Sequence, residues 1–120
     1  ADKEQLSRAF LNLVKNGIQA IPADQKGEIS ISVQKLKSVA LISISDNGTG
    51  ISQDAQDHLF EPNFTTKTSG MGLGLSIVRN IITNFRGKIW HETSETQGTI
   101  FYVEIPLYES SLPAENNYSQ

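Results

Sequence analysis

Asn12 and Asn16 sit one helical turn apart with Lys15 beside them, and they form the first cluster of residues able to do chemistry. Carboxamide oxygens can ligate a hard cation such as Mg2+, which keeps several waters and also binds substrate phosphates. A lysine next to them can meet phosphate as a point charge. The same residues also fit the solvated face of an amphipathic helix. A second cluster is Asp46-Asn47-Gly48-Thr49-Gly50, directly after an apolar run. A carboxylate there can accept a hydrogen bond from an exocyclic amine, and glycines let a flat ring approach the backbone. Asn47-Gly48 equally fits a plain turn. The third cluster is Gly70-Met71-Gly72-Leu73-Gly74-Leu75, opening a helix. Such glycines leave backbone N–H groups free at the positive end of a helix dipole, which suits phosphate. They also cost helix propensity of about 1 kcal/mol each, a cost that a purely structural account must explain. The fourth is Phe60-Glu61-Pro62-Asn63-Phe64-Thr65-Thr66-Lys67, which suits a lid over phosphates or an ordinary loop.

Two familiar glycine motifs are excluded. A Rossmann fingerprint needs a third glycine where Leu75 stands, and it needs a preceding strand. A Walker A loop needs a closing Gly-Lys-Ser/Thr, which the chain lacks.

The elements that must position these clusters follow from periodicity. Leu6, Phe10, Leu13, Val14, Gly17, Ile18 and Ile21 recur at helical spacing and form a core stripe that Pro22 closes, with Asp2 as a candidate cap. Asn12, Lys15, Asn16 and Gln19 lie off that stripe. Ile29, Ile31 and Val33 alternate with polar residues and predict a strand; Leu36-Lys37-Ser38 predicts a hairpin turn. Val39–Ser45 is more apolar and predicts a central strand. A short helix is expected over 53–60 and a mobile loop over 61–70. Leu73, Ile77, Val78, Ile81, Ile82 and Phe85 predict a second long helix with Gly87 as its stop. Lys88–Thr93 and Thr99–Ile105 predict a closing pair of strands around Gln97-Gly98. Residues 108–120 show no period and are expected to be a disordered tail after a single domain over 1–107.

Bulk composition narrows the class. A chain of 120 residues suits one core. Its formal net charge of −3, with no basic cluster, argues against nucleic acid as a partner. The absence of cysteine excludes disulfides and thiolate metal sites. No apolar run approaches the ~20 residues that span a bilayer. These features lead us to expect a cytoplasmic piece of a larger protein, with no direct membrane contact.

Taken together and in order, the clusters resemble the catalytic ATPase domain of sensor histidine kinases, part of the wider GHKL group. Asn12–Asn16 resembles the N box, Asp46–Ile51 the G1 box, Phe60–Lys67 the F box, Gly70–Leu75 the G2 box, and Gly98-Thr99 the last glycine box. The resemblance covers residues 2–107. It implies an α+β two-layer sandwich, the Bergerat fold, with a mixed, mainly antiparallel sheet, helices on one face and a mobile ATP lid.

The resemblance also implies roles. Asn16 would ligate the Mg2+ that bridges the ATP phosphates, with Asn12 and Lys15 beside it. Asp46 would accept the adenine amine, and Gly48, Gly50 and Ile51 would line the ring. Phe64, Thr65, Thr66 and Lys67 would form the lid. Gly70, Gly72, Leu73, Gly74 and Leu75 would free the lid and present N–H groups to phosphate, and Thr99 would stand near Asp46. Where gyrase-type ATPases and serine-directed kinases of the group carry a glutamate base, this chain has neutral Asn12, which cannot take a proton at physiological pH. The chain therefore resembles a domain that holds ATP and donates its γ-phosphate to a histidine on a separate dimerisation domain, with a response regulator downstream. A monomeric fragment of a homodimeric parent is expected. His58 and His91 are the candidate acceptors within the chain; both are read as exposed and structural. A degenerate nucleotide- or partner-binding module, and a GHKL ATPase or serine kinase, are the competing readings.

Overall fold

Helix α1 spans Lys3–Ala20 and carries Glu4 in its first turn, where the dipole favours negative charge. The computed structural model describes residues 3–61, 71–94 and 96–107, and for residues 3 and 71–73 the backbone alone. Asp2, the 62–70 segment and the 108–120 tail therefore lie outside the described residues. After α1 come strands β1 (Ile29–Leu36) and β2 (Val39–Asp46), then the single turn of α2 (Gln53–Gln56). Helix α3 (Met71–Asn84) and strands β3 (Lys88–Ser94) and β4 (Gly98–Pro106) complete the domain.

The sheet order is β1-β2-β4-β3. Each of its three described pairings is antiparallel, so the mixed sheet expected from the family resemblance has no parallel pair among the described residues. Register puts Ile42, Ile44 and Asp46 of β2 opposite Val103, Phe101 and Thr99 of β4. All six are buried. Apart from Gly98, which is buried, their neighbours along each strand are half-buried, so one face of the sheet is covered and the other meets water. α1 and α3 cover that inner face and pack against each other. Leu13, Val78, Ile82 and Val103 are the largest fully buried side chains. Each contributes roughly 1.5–3 kcal/mol of burial free energy.

Several expectations are corrected here. The buried stripe of α1 runs through Ala9, Leu13, Asn16 and Gly17, whereas Ile18 is 56% exposed. Asn16 thus lies on the core side of the helix. Ile31 and Val33 share the inner face with Ile44 and Ile42 but are exposed, because β1 is an edge strand that the helices barely reach. The helix expected over 53–60 is α-helical only for Gln53–Gln56; Ser52 caps it by accepting the Ala55 N–H, and turns follow. Ile77, read as part of the apolar face of α3, is 37% exposed.

The stop of α3 also differs. The left-handed residue is Arg86, with φ 64°, rather than Gly87. Gly87 N–H donates to Ile82 O and Arg86 N–H to Thr83 O, the paired bonds of a Schellman cap. Gly87 is required for a different reason: a β-carbon there would lie 2.5 Å from Glu104 O on β4.

Candidate functional site

The candidate site forms where the C-terminal half of α1, the end of β2 and the start of β4 converge. Asp46 is the last residue of β2 and is 7% exposed. One carboxylate oxygen accepts the Gly48 N–H at 2.8 Å. Burial pushes the Asp46 carboxyl above the usual aspartate range, and the backbone N–H groups of Gly48 and Thr99 pull it part of the way back. The group is therefore a buried acceptor with lone pairs to spare.

Three glycines allow this convergence. Gly17 of α1 faces Asp46, and a β-carbon there would stand 3.5 Å from Asp46 Oδ2. Gly48 is buried against α1, where a β-carbon would lie 2.5 Å from Ala20 O. Gly98 adopts φ +93°, and any side chain would run into Asp46 O at 2.0 Å. The loop after β2 is tied to α1 by the Thr49 N–H, which donates to Ala20 O.

Asn47 is not a simple turn residue. Its side-chain oxygen accepts the Glu28 N–H at 2.8 Å and its amide donates to Lys26 O at 2.9 Å. It thereby fastens the loop between α1 and β1. Thr99 is 3% exposed, and its hydroxyl lies 2.9 Å from that of Thr93.

Asn16 is 7% exposed, and its Nδ2 is buried with no hydrogen-bond partner among the described residues. A native protein seldom leaves such a group alone. An arriving acceptor would satisfy it, and half a turn of the carboxamide would present its oxygen to a cation instead. Asn12 is half-buried on the same helix, against the first turn of α3, where a β-carbon on Gly74 would lie 3.8 Å from its amide. Lys15 is exposed. The structure thus brings Asn12 to α3, and Asn16 to the α1 side that carries Gly17 and faces Asp46. No group of three acidic or histidine side chains fit for a metal occurs among the described residues. A cation here would have to arrive with its own phosphate ligands, which Mg2+ commonly does.

Gly72, Leu73, Gly74 and Leu75 lie in the first turns of α3, with Leu75 buried in the core. Gly50 adopts φ 78°, and Ile51 packs against the core. Phe64, Thr65, Thr66, Lys67 and Gly70 lie outside the described residues. The histidines are placed differently from each other. His58 is exposed and pairs with Glu61 at 3.0 Å, which holds its imidazole above the usual range. His91, expected to be exposed, is half-buried: it touches the Phe101 and Phe60 rings, and burial lowers its pKa.

The sequence alone gives Thr93 and Gln56 no role at the site, and it offers Gly17 only as part of the core stripe and Asn47 only as a turn residue. For Thr93 a signal existed, since a turn around Gln97-Gly98 sets it opposite Thr99. For the others no periodicity marks a contact that only the fold creates.

A domain with this sheet, with helices on one face and a buried aspartate at a strand end, has close counterparts. A family model described as histidine kinase-, DNA gyrase B-, and HSP90-like ATPase matches residues 1–109, and the chain belongs to that family. Within it, the chain is of the sensor histidine kinase type. It is 37% identical over 110 residues to sporulation kinase C of Bacillus subtilis, covering 92% of this chain and 25% of that protein. It is 40% identical over 107 residues to the sensor histidine kinase ZraS of Escherichia coli K12, covering 89% of this chain and 23% of that protein. Among solved structures it is similar to the nucleotide-free catalytic domain of histidine kinase ThkA, with a TM-score of 0.77 at 38% identity, covering 88% of this chain and 68% of that one. A further likeness, with a TM-score of 0.75 at 27% identity, is to full-length ShkA in complex with AMPPNP, covering 88% of this chain and 22% of that one. The chain spans about a quarter of the length of the curated relatives named here. It carries the ATP-binding fold of the family, and no helix among the described residues is long and apolar enough to cross a membrane.

Proposed function

We propose that this chain is the Mg2+-ATP-binding catalytic half of a cytoplasmic protein-histidine kinase, which hands the γ-phosphate to a histidine on a separate dimerisation domain. The observation that carries the reading is Asp46, a buried carboxylate held by the Gly48 and Thr99 N–H groups with acceptor capacity left over. An exocyclic amine satisfies it, and a carbonyl at the same ring position is repelled, so adenine is selected over guanine. Asn16, with its unpaired buried amide, and Asn12 beside α3 suit the phosphate end. Asn16 would hold Mg2+, which supplies charge neutralisation for the phosphates. Lys15 offers a further positive charge from solvent.

Asn12 is neutral and cannot activate water. The chain holds ATP and leaves the nucleophile to its partner. In the transfer, a histidine nitrogen of the dimerisation domain forms the N–P bond as the bond to the departing ADP oxygen breaks, and the imidazole proton leaves to a base on that domain. A response regulator then takes the phosphoryl group.

Calorimetric titration with ATP, with and without Mg2+ and beside GTP, tests this reading. One-to-one binding that prefers ATP and responds to Mg2+ is expected. Addition of a histidine-bearing helical hairpin should then yield acid-labile phosphate. Absence of ATP binding up to millimolar levels removes the proposal, and rapid ATP hydrolysis by the chain alone moves it to the ATPase branch of the family.

A further inference from the structure

The loop after β2 leaves the sheet at Asp46, and at Ile51 it has no strand neighbour to pair with. Side chains take over that role. Ile51 N–H donates to Thr93 Oγ1 on β3 at 2.9 Å. Ile51 O accepts from Gln56 Nε2 on α2 at 3.1 Å. Gln56 is in turn oriented by His91, whose Nε2 lies 3.3 Å from Gln56 Oε1. The Thr93 hydroxyl also meets the Thr99 hydroxyl at 2.9 Å and stands 3.3 Å from Gly98 O. Thr99 is the cross-strand partner of Asp46, and its N–H bonds the Asp46 carboxylate. One hydroxyl on β3 therefore joins the far end of the 46–51 loop to the strand that holds its near end.

We propose that Thr93 and Gln56 are positioning residues that clamp the backbone of Ile51 and so set the distance between the loop and Asp46 across the base-binding space. This rests on the reading of Asp46 as the acceptor for an adenine amine. The physical case is that Ile51 is half-buried, so its N–H and C=O need partners there, and the ladder supplies none. A threonine hydroxyl can accept from one neighbour while donating to another, which valine of the same shape cannot do. The Thr93 hydroxyl accepts the Ile51 N–H and has a single proton of its own to give, with Gly98 O and Thr99 Oγ1 both within reach of it.

Thr93→Val keeps shape and strand preference and removes only the hydroxyl. Adenosine affinity should fall about 3- to 10-fold, the effect of about one hydrogen bond, and ATP affinity should fall by the same factor because the loss lies at the base. Thr93→Ser should restore both. Hydrogen exchange of the Ile51 amide should quicken in Thr93→Val and return to the wild-type rate in Thr93→Ser. Gln56→Leu, which removes the other half of the clamp from outside the sheet, should weaken adenosine in the same way. A wild-type chain that binds adenosine alongside a Thr93→Val chain that binds it equally well overturns this proposal alone. A wild-type chain that takes up no adenosine overturns the reading of Asp46, and the positioning role falls with it.

Discussion

Gly17 on α1 and Asp46 on β2 meet so closely that a β-carbon at position 17 would lie 3.3 Å from Asp46 Cβ and 3.0 Å from Ile29 Cδ1. The helix and the acceptor carboxylate share one packed surface, and a small residue permits it. Glycine in mid-helix costs about 0.5–1 kcal/mol relative to alanine. Against that gain stand two tight contacts: the tip of a half-exposed isoleucine on an edge strand, which can turn away, and Asp46 Cβ at 3.3 Å, which has to give by only a few tenths of an ångström. The propensity gain wins. Gly17→Ala should raise the melting temperature by about 2–4 °C and leave adenosine affinity within about threefold. A lowered melting temperature would mean that Ile29 cannot yield.

Asp46→Asn should trade binding for stability. Burial raises the Asp46 pKa, so the folded chain holds that proton more tightly than the unfolded chain does. Stability is then lost as pH climbs from the ordinary value of 3.8 into the raised one, and the full cost persists above it. Asparagine cannot ionise, so its stability profile should be flat for this group across that window, and the variant should melt higher at neutral pH. ATP affinity should drop roughly 10- to 150-fold, as for a lost charge-assisted hydrogen bond. In the wild type, ATP affinity should begin to fall on acidification at a pH above the ordinary aspartate value. Identical pH–stability curves for the two chains would refute the burial argument.

How much of this was legible beforehand depends on what kind of contact each residue makes. β2 reads as the central strand because its apolar run is dense, and it does lie between β1 and β4. Asp46 and Thr99 stand out by motif, and the fold pairs them directly. Spacing alone sets Asn16 off the apolar stripe, as a polar residue on an amphipathic helix, yet the fold buries it beside Gly17. The converse error falls on Ile18 and Val33, apolar residues at the right period whose faces no element covers. Periodicity reports which face is apolar. It does not report which part of that face finds a neighbour, and it carries no trace of a clamp such as Thr93–Ile51, made between residues far apart in the chain.

Asn16→Ala should cost the apo chain little. Its buried amide hydrogens have no partner among the described residues, and an unsatisfied buried donor costs about 1–3 kcal/mol, which offsets the packing lost with the side chain. We expect a change in unfolding free energy within about 1 kcal/mol by urea titration. Binding should separate instead: the increment that Mg2+ adds to ATP affinity should vanish, and adenosine affinity should hold. Equal losses for ATP and adenosine would make Asn16 a structural residue.

The end of α3 offers a last contrast, between two adjacent positions. Arg86 holds a left-handed conformation at φ 64°, which costs a side-chain-bearing residue about 1–2 kcal/mol. Glycine there removes that cost but adds freedom to the unfolded chain worth about 0.5–1 kcal/mol, so Arg86→Gly should leave stability unchanged or raise it by up to about 1.5 kcal/mol. Gly87→Ala meets no such balance. The new methyl would lie 2.5 Å from Glu104 O and 3.0 Å from Ile82 Cγ2, and both belong to the packed α3–β4 layer. Because a backbone carbonyl in a central strand cannot swing aside as a side-chain tip can, a loss of at least ~2 kcal/mol is expected, in the range of overpacked cores. Urea titrations of the two variants decide it. If Arg86→Gly proves the more damaging change, the cap is held by the arginine side chain rather than by the backbone bonds of Gly87 and Arg86 to Ile82 and Thr83.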